Sequence, residues 1–196
     1  GWETGEVNFD WNKLRIARDK EVDRLETAYR ANLQKSGVKI FENFAKCVGP
    51  KLIELNNGKV IEAEHILLAT GGVPKKPNFE GVDLTISSDE VFMLESLPKE
   101  ILIYGGGYIA CEFASIFKGL GSKVNLVYRG DNLLKGFDSD VRNTVTSEFR
   151  NKDIHLSLNS TIISVKKENA KLRVVLANGQ SFSVNEVLCA TGRKPN

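Results

Sequence analysis

The chain has 196 residues, 41% of them hydrophobic and 27% charged, which is enough apolar material for a packed core and argues against disorder. Lysine and arginine number 27 against 25 acids, a net charge of +2, and so small an excess speaks against nucleic acid or a membrane surface as partner. The longest apolar runs, Ile101-Leu102-Ile103-Tyr104 and Ile66-Leu67-Leu68-Ala69, fall far short of the ~18 residues that span a bilayer. Three scattered cysteines make neither an extracellular disulfide framework nor a local Cys-x-x-Cys motif, and favour a reducing compartment. The single methionine is Met93 and the first residue is Gly1, so an internal or processed piece is expected.

Asp10 fits an N-cap, and Leu14, Val22, Leu25, Tyr29 and Leu33 recur at helical spacing after it. Ser36-Gly37 is the expected end, with Gly37 as the C-terminal glycine. Branched residues then mark strands at 38–41, 52–55, 60–63 and 66–69, with Asn57-Gly58 as a type I′ hairpin turn. Gly71-Gly72 with Pro74 and Pro77 reads as a linker. From Ile101 the pattern alternates: a strand over 101–104, a helix from Tyr108 to Leu120, a strand over 123–128, and a helix from Ser139 to about Lys152. Ile109, Phe113, Ile116 and Phe117 form the expected apolar face of the first of these helices, and Val141, Val145 and Phe149 that of the second. Strands are expected at 154–158, 161–166, 172–176, 181–184 and 187–191, with Asn178-Gly179 turning the last hairpin.

The sequence repeats itself with an offset of 121 residues. Asn57-Gly58 and Ala69-Thr70-Gly71 recur as Asn178-Gly179 and Ala190-Thr191-Gly192, and Ile61, Ala63, Ile66 and Leu67 correspond to Phe182, Val184, Val187 and Leu188. Turn, strand and glycine terminus recur in register, so two domains of one type are expected. The second copy carries a glycine-rich turn at Gly105, whose counterpart would fall before residue 1.

Gly105-Gly106-Gly107-Tyr108-Ile109-Ala110 fits G-x-G-x-x-A between a strand and an amphipathic helix, the context in which this motif holds a dinucleotide. Gly105 permits the tight turn, Gly107 lets backbone approach a pyrophosphate, and Ala110 lets helix and strand pack closely. The helix N-terminus then offers free N–H groups to the phosphates. About 20 residues on, where NAD-binding chains place an acid, stands Arg129, with Lys135 beyond it. Arginine grips a 2′-phosphate bidentately, so NADP(H) is favoured over NAD(H). A solvated loop remains open for Lys135. No G-x-x-x-x-G-K-[ST] P-loop is present, and a methyltransferase would carry an acid near position 128. His65, His155, Cys47, Cys111 and Cys189 read as structural, while Glu112 is either a surface residue or a partner for a cofactor amide or lysine.

The stretch from Gly105 to Ala114, Arg129 with Lys135-Gly136-Phe137-Asp138, and Ala190-Thr191-Gly192-Arg193-Lys194-Pro195-Asn196 resemble the glutathione reductases, a group within the class I pyridine nucleotide-disulfide oxidoreductase family. Trypanothione reductases are the nearest competitor; dihydrolipoamide and mercuric reductases fit less well. The resemblance implies an α/β fold: a Rossmann-like NADPH-binding domain over 73–196, preceded over 1–72 by the remainder of a similar FAD-binding domain. It implies that Gly105, Gly106 and Gly107 hold the NADPH pyrophosphate and that Tyr108 gates the nicotinamide pocket. Ile109 and Glu112 would contact the nicotinamide end, Arg129 and Lys135 the 2′-phosphate, and Gly192 the NADPH from the far strand. Ala45, Thr70 and Gly71 would border FAD, and Tyr29 and Asn32 would line the site for glutathione disulfide.

In that family electrons pass from NADPH to FAD, then to a cysteine pair, then to glutathione disulfide. The chain lacks the Cys-x-x-x-x-Cys pair, the N-terminal FAD glycine motif and the C-terminal domain with its catalytic His-Glu, so it is expected to be inactive alone. The parent is expected to be a cytoplasmic or organellar homodimer. A free-standing NADP(H)-binding module is the alternative.

Overall fold

Charged residues fill the first helix between widely spaced apolar positions, a composition that suits a solvated helix better than a buried one. In the computed structural model, which describes residue 5 and residues 8–196, α1 spans Trp11–Lys35 and buries none of its residues. Leu14, Val22, Leu25, Tyr29 and Leu33 are all exposed. Surface ion pairs lace it instead, Arg24 to Glu21 at 2.7 Å and Arg30 to Glu26 at 3.9 Å, each a weak helix support. Its end follows the expected glycine: Gly37 sits at φ 76°, Val38 N–H bonds to Leu33 O and Gly37 N–H to Gln34 O, the paired bonds of a Schellman cap.

The described residues divide into two compact units, Lys13–Gly71 and Gly72–Asn196, the latter including the described residues up to Asn12. In the smaller unit, β1 (Ala45–Gly49), β2 (Leu52–Leu55) and β3 (Val60–Glu62) form an antiparallel sheet in that order. Residues 38–41 and 66–69 are not strands. The second of these corresponds in the repeat to a strand that pairs in parallel with 101–104; no described strand pairs with 66–69, and an extended segment needs partners for its backbone groups. Leu67 and Leu68 are accordingly exposed.

The repeat is visible in hydrogen bonds. Leu55 N bonds Lys59 O, Gly58 N bonds Leu55 O, and Lys59 N bonds Asn57 Oδ1; Leu176, Gln180, Gly179 and Asn178 reproduce all three. Gly58 and Gly179 lie at φ 82° and 84°, while neither asparagine has positive φ. The turn is therefore a three-residue loop with glycine in the left-handed position, and not type I′: the asparagine serves as a side-chain acceptor and only the glycine needs positive φ.

In the larger unit, β4 (Gly72–Pro74) precedes a short 3₁₀ turn at Val82–Leu84 and the one-turn helix α2 (Ser88–Val91). Then follow β5 (Glu100–Tyr104), α3 (Tyr108–Gly119), β6 (Lys123–Val127), α4 (Ser139–Asn151) and β7 (His155–Ser157). The chain ends with β8 (Ile162–Glu168), β9 (Lys171–Leu176), β10 (Ser181–Val184), β11 (Glu186–Cys189) and β12 (Arg193–Pro195). The segment expected to be a linker is paired: β4 runs antiparallel to β12, Gly72 opposite Pro195. A capping box of Ser87 and Glu90 starts α2, a local signature strong enough to hold even a single turn of helix.

Strands β11-β5-β6-β7 form a parallel sheet, and β10-β9-β8 an antiparallel one. β5 is buried on both faces, which explains its uninterrupted apolar run. Ile101 and Ile103 pack with Val124, Leu126, Phe117 and Phe149 on the helical side. Leu102 and Tyr104 pack with Val127, Val165 and Val174 on the side of the antiparallel sheet. The result is three layers: helices, parallel sheet, antiparallel sheet.

The buried face of α3 is Ala110, Cys111, Ala114 and Phe117, displaced from the expected one; Ile116 is exposed and Ile109 and Phe113 are half-buried. Small residues face the sheet because they let the helix approach it closely. On α4, Thr146 and Phe149 are buried and Val141 is exposed. Glu100 at the start of β5 accepts from Lys123 of β6 and, at 2.6 Å, from Lys171 of β9, and these partners hold its carboxyl below the ordinary value.

Replacing the wholly buried Phe117 by alanine is expected to cost about 3–5 kcal/mol in urea unfolding. The Glu100 contribution is present above its unfolded pKa and lost as pH falls through the lower folded one. Glu100→Gln is therefore expected to cost about 0.5–1 kcal/mol at pH 7 and to flatten the acid limb of a stability–pH curve; an unchanged limb would remove this carboxylate from acid unfolding.

Candidate functional site

The glycine turn after β5 is built by three different constraints. Gly105 has φ 148°, and a Cβ there would lie 2.2 Å from Ala190 O. A Cβ on Gly106 would lie 2.5 Å from the Tyr128 ring. Gly107 meets nothing within 4 Å; it is the N-cap of α3, with extended backbone and no side-chain cap. No acid stands in the first turn of that helix. Its leading N–H groups and positive dipole end are thus left for an anion.

The turn is braced from behind. Leu134 N–H bonds to Gly106 O at 2.7 Å, and Leu133 and Leu134 are buried. Arg142 of α4 donates to Leu133 O and Asn132 O and pairs with Asp131 at 3.7 Å. The loop after β6 is thereby tied both to the glycines and to α4.

Beside the turn lies a cleft of about 600 Å³ at the carboxyl ends of β11, β5 and β6. This is where the strand order reverses, the usual ligand position in an open parallel sheet. Gly105, Gly106, Gly107, Tyr108, Ile109, Arg129 and Gly192 all line it. Ala110 lies beneath, wholly buried, as its packing role requires. Glu112 is exposed on α3 and Lys135 exposed on its loop, and neither lines the cleft. Tyr108 is 56% exposed at the mouth. The lining holds Lys75, Lys76 and Arg129 and no carboxylate, so its field favours a negatively charged ligand.

In the smaller unit, Ala45 lines a separate shallow depression with Phe44 and Asn56. Tyr29 and Asn32 are exposed on α1, and Thr70 and Gly71 are exposed beyond β3.

Sequence reasoning missed Tyr128, Lys75, Lys76, Asn78 and Thr191 in the cleft lining. The signal for Tyr128 was its placement between small partners: a Cβ on Gly130 would also strike its ring, at 2.5 Å. Thr191 belongs to the repeated Ala-Thr-Gly and donates to Lys75 O. Nothing local marks the lysines, which reach the cleft only through the pairing of β4 with β12.

Tyr104 also lines the cleft, and burial, then the neighbouring Cys189, raises its hydroxyl pKa while Arg129 opposes the shift. Burial pushes the Cys111 thiol up to about 11, with Glu112 adding to the effect. Cys189 is likewise raised by burial and donates to Thr85. Burial thus favours the neutral thiol at both positions, as suits structural cysteines. No group of three His, Cys, Asp or Glu side chains that could hold a metal occurs among the described residues, and none of their helices is long and apolar enough to cross a membrane.

An uncapped helix N-terminus beside a parallel sheet and a cationic cleft defines an α/β protein with a site suited to an anionic ligand. Comparison with known proteins makes the class definite: residues 3–196 match the profile described as pyridine nucleotide-disulphide oxidoreductase, and the chain belongs to that family. It is 39% identical over 196 residues to glutathione reductase from Burkholderia cepacia, covering all of this chain and 43% of that protein. It is 36% identical over 198 residues to glutathione reductase from Nostoc sp., again covering 100% of this chain and 43% of the relative. The chain thus spans less than half the length of these relatives. Its fold matches that of the HOCl-induced flavoprotein disulfide reductase RclA from Escherichia coli, with a TM-score of 0.87 over 96% of this chain and 44% of that one, at 24% identity.

The glycines are expected to respond differently to a methyl group. Gly105→Ala meets both a carbonyl and an unfavourable φ and is expected to destabilise by about 2 kcal/mol or more. Gly107→Ala has open space and negative φ and is expected to stay within about 1 kcal/mol of the parent. Thermal unfolding of the two variants checks the order.

Proposed function

We propose that the chain is the NADPH-binding part, with an adjoining portion of the FAD-binding part, of a glutathione-disulfide reductase. Residues 73–196 form the NADPH-binding domain and residues 1–72 the partial FAD-binding domain. The observation that carries this reading is the cleft itself: an uncapped helix N-terminus at Gly107, facing a lining with three cations and no carboxylate, with Arg129 at the end of β6. Similarity to glutathione reductases over the whole chain supports the substrate class.

In this reading Gly105, Gly106 and Gly107 admit the pyrophosphate, and the N–H groups at the start of α3 donate to it. Arg129 grips the 2′-phosphate with its planar fork. Lys135 is a second, point-charge contact for the same group, on the exposed loop after β6. Gly192 lets the opposite wall approach the nucleotide, and its φ of 128° suits glycine there. Tyr108 covers the nicotinamide end and excludes water from it, with Ile109 beneath and Glu112 on the next turn of the helix. NADPH supplies the hydride that the whole enzyme passes through FAD and a dithiol to glutathione disulfide. Ala45, Thr70 and Gly71 border the FAD, and Tyr29 and Asn32 the glutathione disulfide. The parent enzyme works as a cytoplasmic or organellar homodimer.

Equilibrium titration tests the reading. The chain is expected to bind NADPH more tightly than NADH, and Arg129→Glu to abolish that preference, a loss of about tenfold or more. Gly107→Ala is expected to lose affinity for both nucleotides while remaining folded. An unchanged preference in Arg129→Glu would remove the 2′-phosphate assignment. Because the 196 residues contain no Cys-x-x-x-x-Cys pair, NADPH oxidation with added glutathione disulfide is expected to show no turnover. A free-standing NADP(H)-binding module is the second reading, favoured by the separate core of residues 72–196; nucleotide binding without any flavin requirement fits it.

A further inference from the structure

Three cations line the cleft, and the proposed function uses only Arg129. Lys76 lies 3.9 Å from the exposed Asp83, a weak surface pair. Lys75 forms no ion pair with a described carboxylate, yet its backbone is held firmly. Its N–H donates to Gly192 O at 2.8 Å, and its carbonyl accepts from Thr191 Oγ1 at 3.1 Å. The stem is anchored and, among the described residues, the ammonium is uncommitted.

Its place in the strand order decides what it can reach. Arg129 follows β6, the glycine turn follows β5, and Lys75 is tied to the residues following β11. The order β11-β5-β6 sets the two cations on opposite flanks of the turn, with strand axes about 10 Å apart. The ribose that carries the 2′ group lies at the end of the second strand of such a fold, here β6. From the β11 flank, the nearest negative charge of a dinucleotide seated at the glycine turn is its diphosphate.

We infer that Lys75 grips the diphosphate bridge, the part common to NADPH and NADH, as a third determinant of affinity that does not discriminate between them. The inference rests on the proposed nucleotide-binding role of the cleft. Lysine suits a diphosphate, because a point charge on a flexible stem meets its oxygens without the planar geometry that Arg129 offers.

Titrations of the 196-residue chain with NADPH and with NADH test it, in the parent and in Lys75→Gln, Lys75→Arg and Arg129→Glu. Lys75→Gln is expected to weaken both nucleotides by about tenfold, leaving their ratio unchanged. Its thermal midpoint should equal the parent's, since both anchoring bonds are made by backbone atoms of residue 75. Lys75→Arg should keep both affinities within about threefold, and added salt should shrink the parent's advantage over Lys75→Gln. If Lys75→Gln changes neither affinity, or weakens NADPH alone, the inference is wrong. Loss of the preference in Arg129→Glu beside a silent Lys75→Gln would overturn the role of Lys75 and leave the nucleotide-binding role of the cleft standing. A parent that binds neither nucleotide would overturn both.

Discussion

The approach of Gly105 to the carbonyl of Ala190 is the contact on which the site is built. A single Cβ at Gly105 would come within 2.2 Å of that oxygen, so the turn after β5 and the end of β11 meet as bare backbone. Two residues on, Gly107 lines the cleft, and having no side chain it leaves the start of α3 uncapped. The opposite wall is made by Thr191 and Gly192 and by the segment from Lys75 to Asn78 that follows β4. A side chain at Gly105 would push these walls apart; at Gly106 it would instead displace Tyr128.

The core supports this contact from below. β5 is buried on both faces, so its position is set by helices on one side and by the antiparallel sheet on the other. Ala110 and Ala114 let α3 lie close to the strand, which brings its N-terminus over the strand's carboxyl end. Glu100 joins β5, β6 and β9 at the other end through two lysines. The cleft therefore inherits its rigidity from a packed sheet and its charge from residues at strand ends. The bracing of Gly106 by Leu134 extends that rigidity to the loop carrying Lys135.

The two hairpins of the repeat share their turn hydrogen bonds and their left-handed glycines, yet their settings differ. In the larger unit the following strand, β11, pairs with β5 and is buried. In the smaller unit the corresponding apolar residues, Leu67 and Leu68, are exposed, and the stripe on α1 is likewise uncovered. A strand is a property of two chain segments, and sequence pattern describes only one of them. For the same reason 38–41 and 66–69 carry the pattern of strands and are not, while the supposed linker at Gly72–Pro74 became one by pairing with Arg193–Pro195.

Local chemistry by itself determined the three long helices, the glycine stops at Gly37 and Gly121, the alternating strands from β5 onward, the hairpin positions and the glycine turn. Each depends on residues near one another in the chain: a φ that only glycine adopts freely, a period of 3.6, a strand run followed by three glycines. Tertiary structure decided what those rules leave open. It chose Ala110, Cys111 and Ala114 over Ile109 and Ile116 as the buried face of α3, because close approach to the sheet rewards small residues. It brought Gly192, Thr191 and Lys75 to the cleft from distant segments, and left Glu112 and Lys135 outside its lining. Which side chains meet across a cleft depends on strand order and pairing, and those are settled only when the whole sheet assembles.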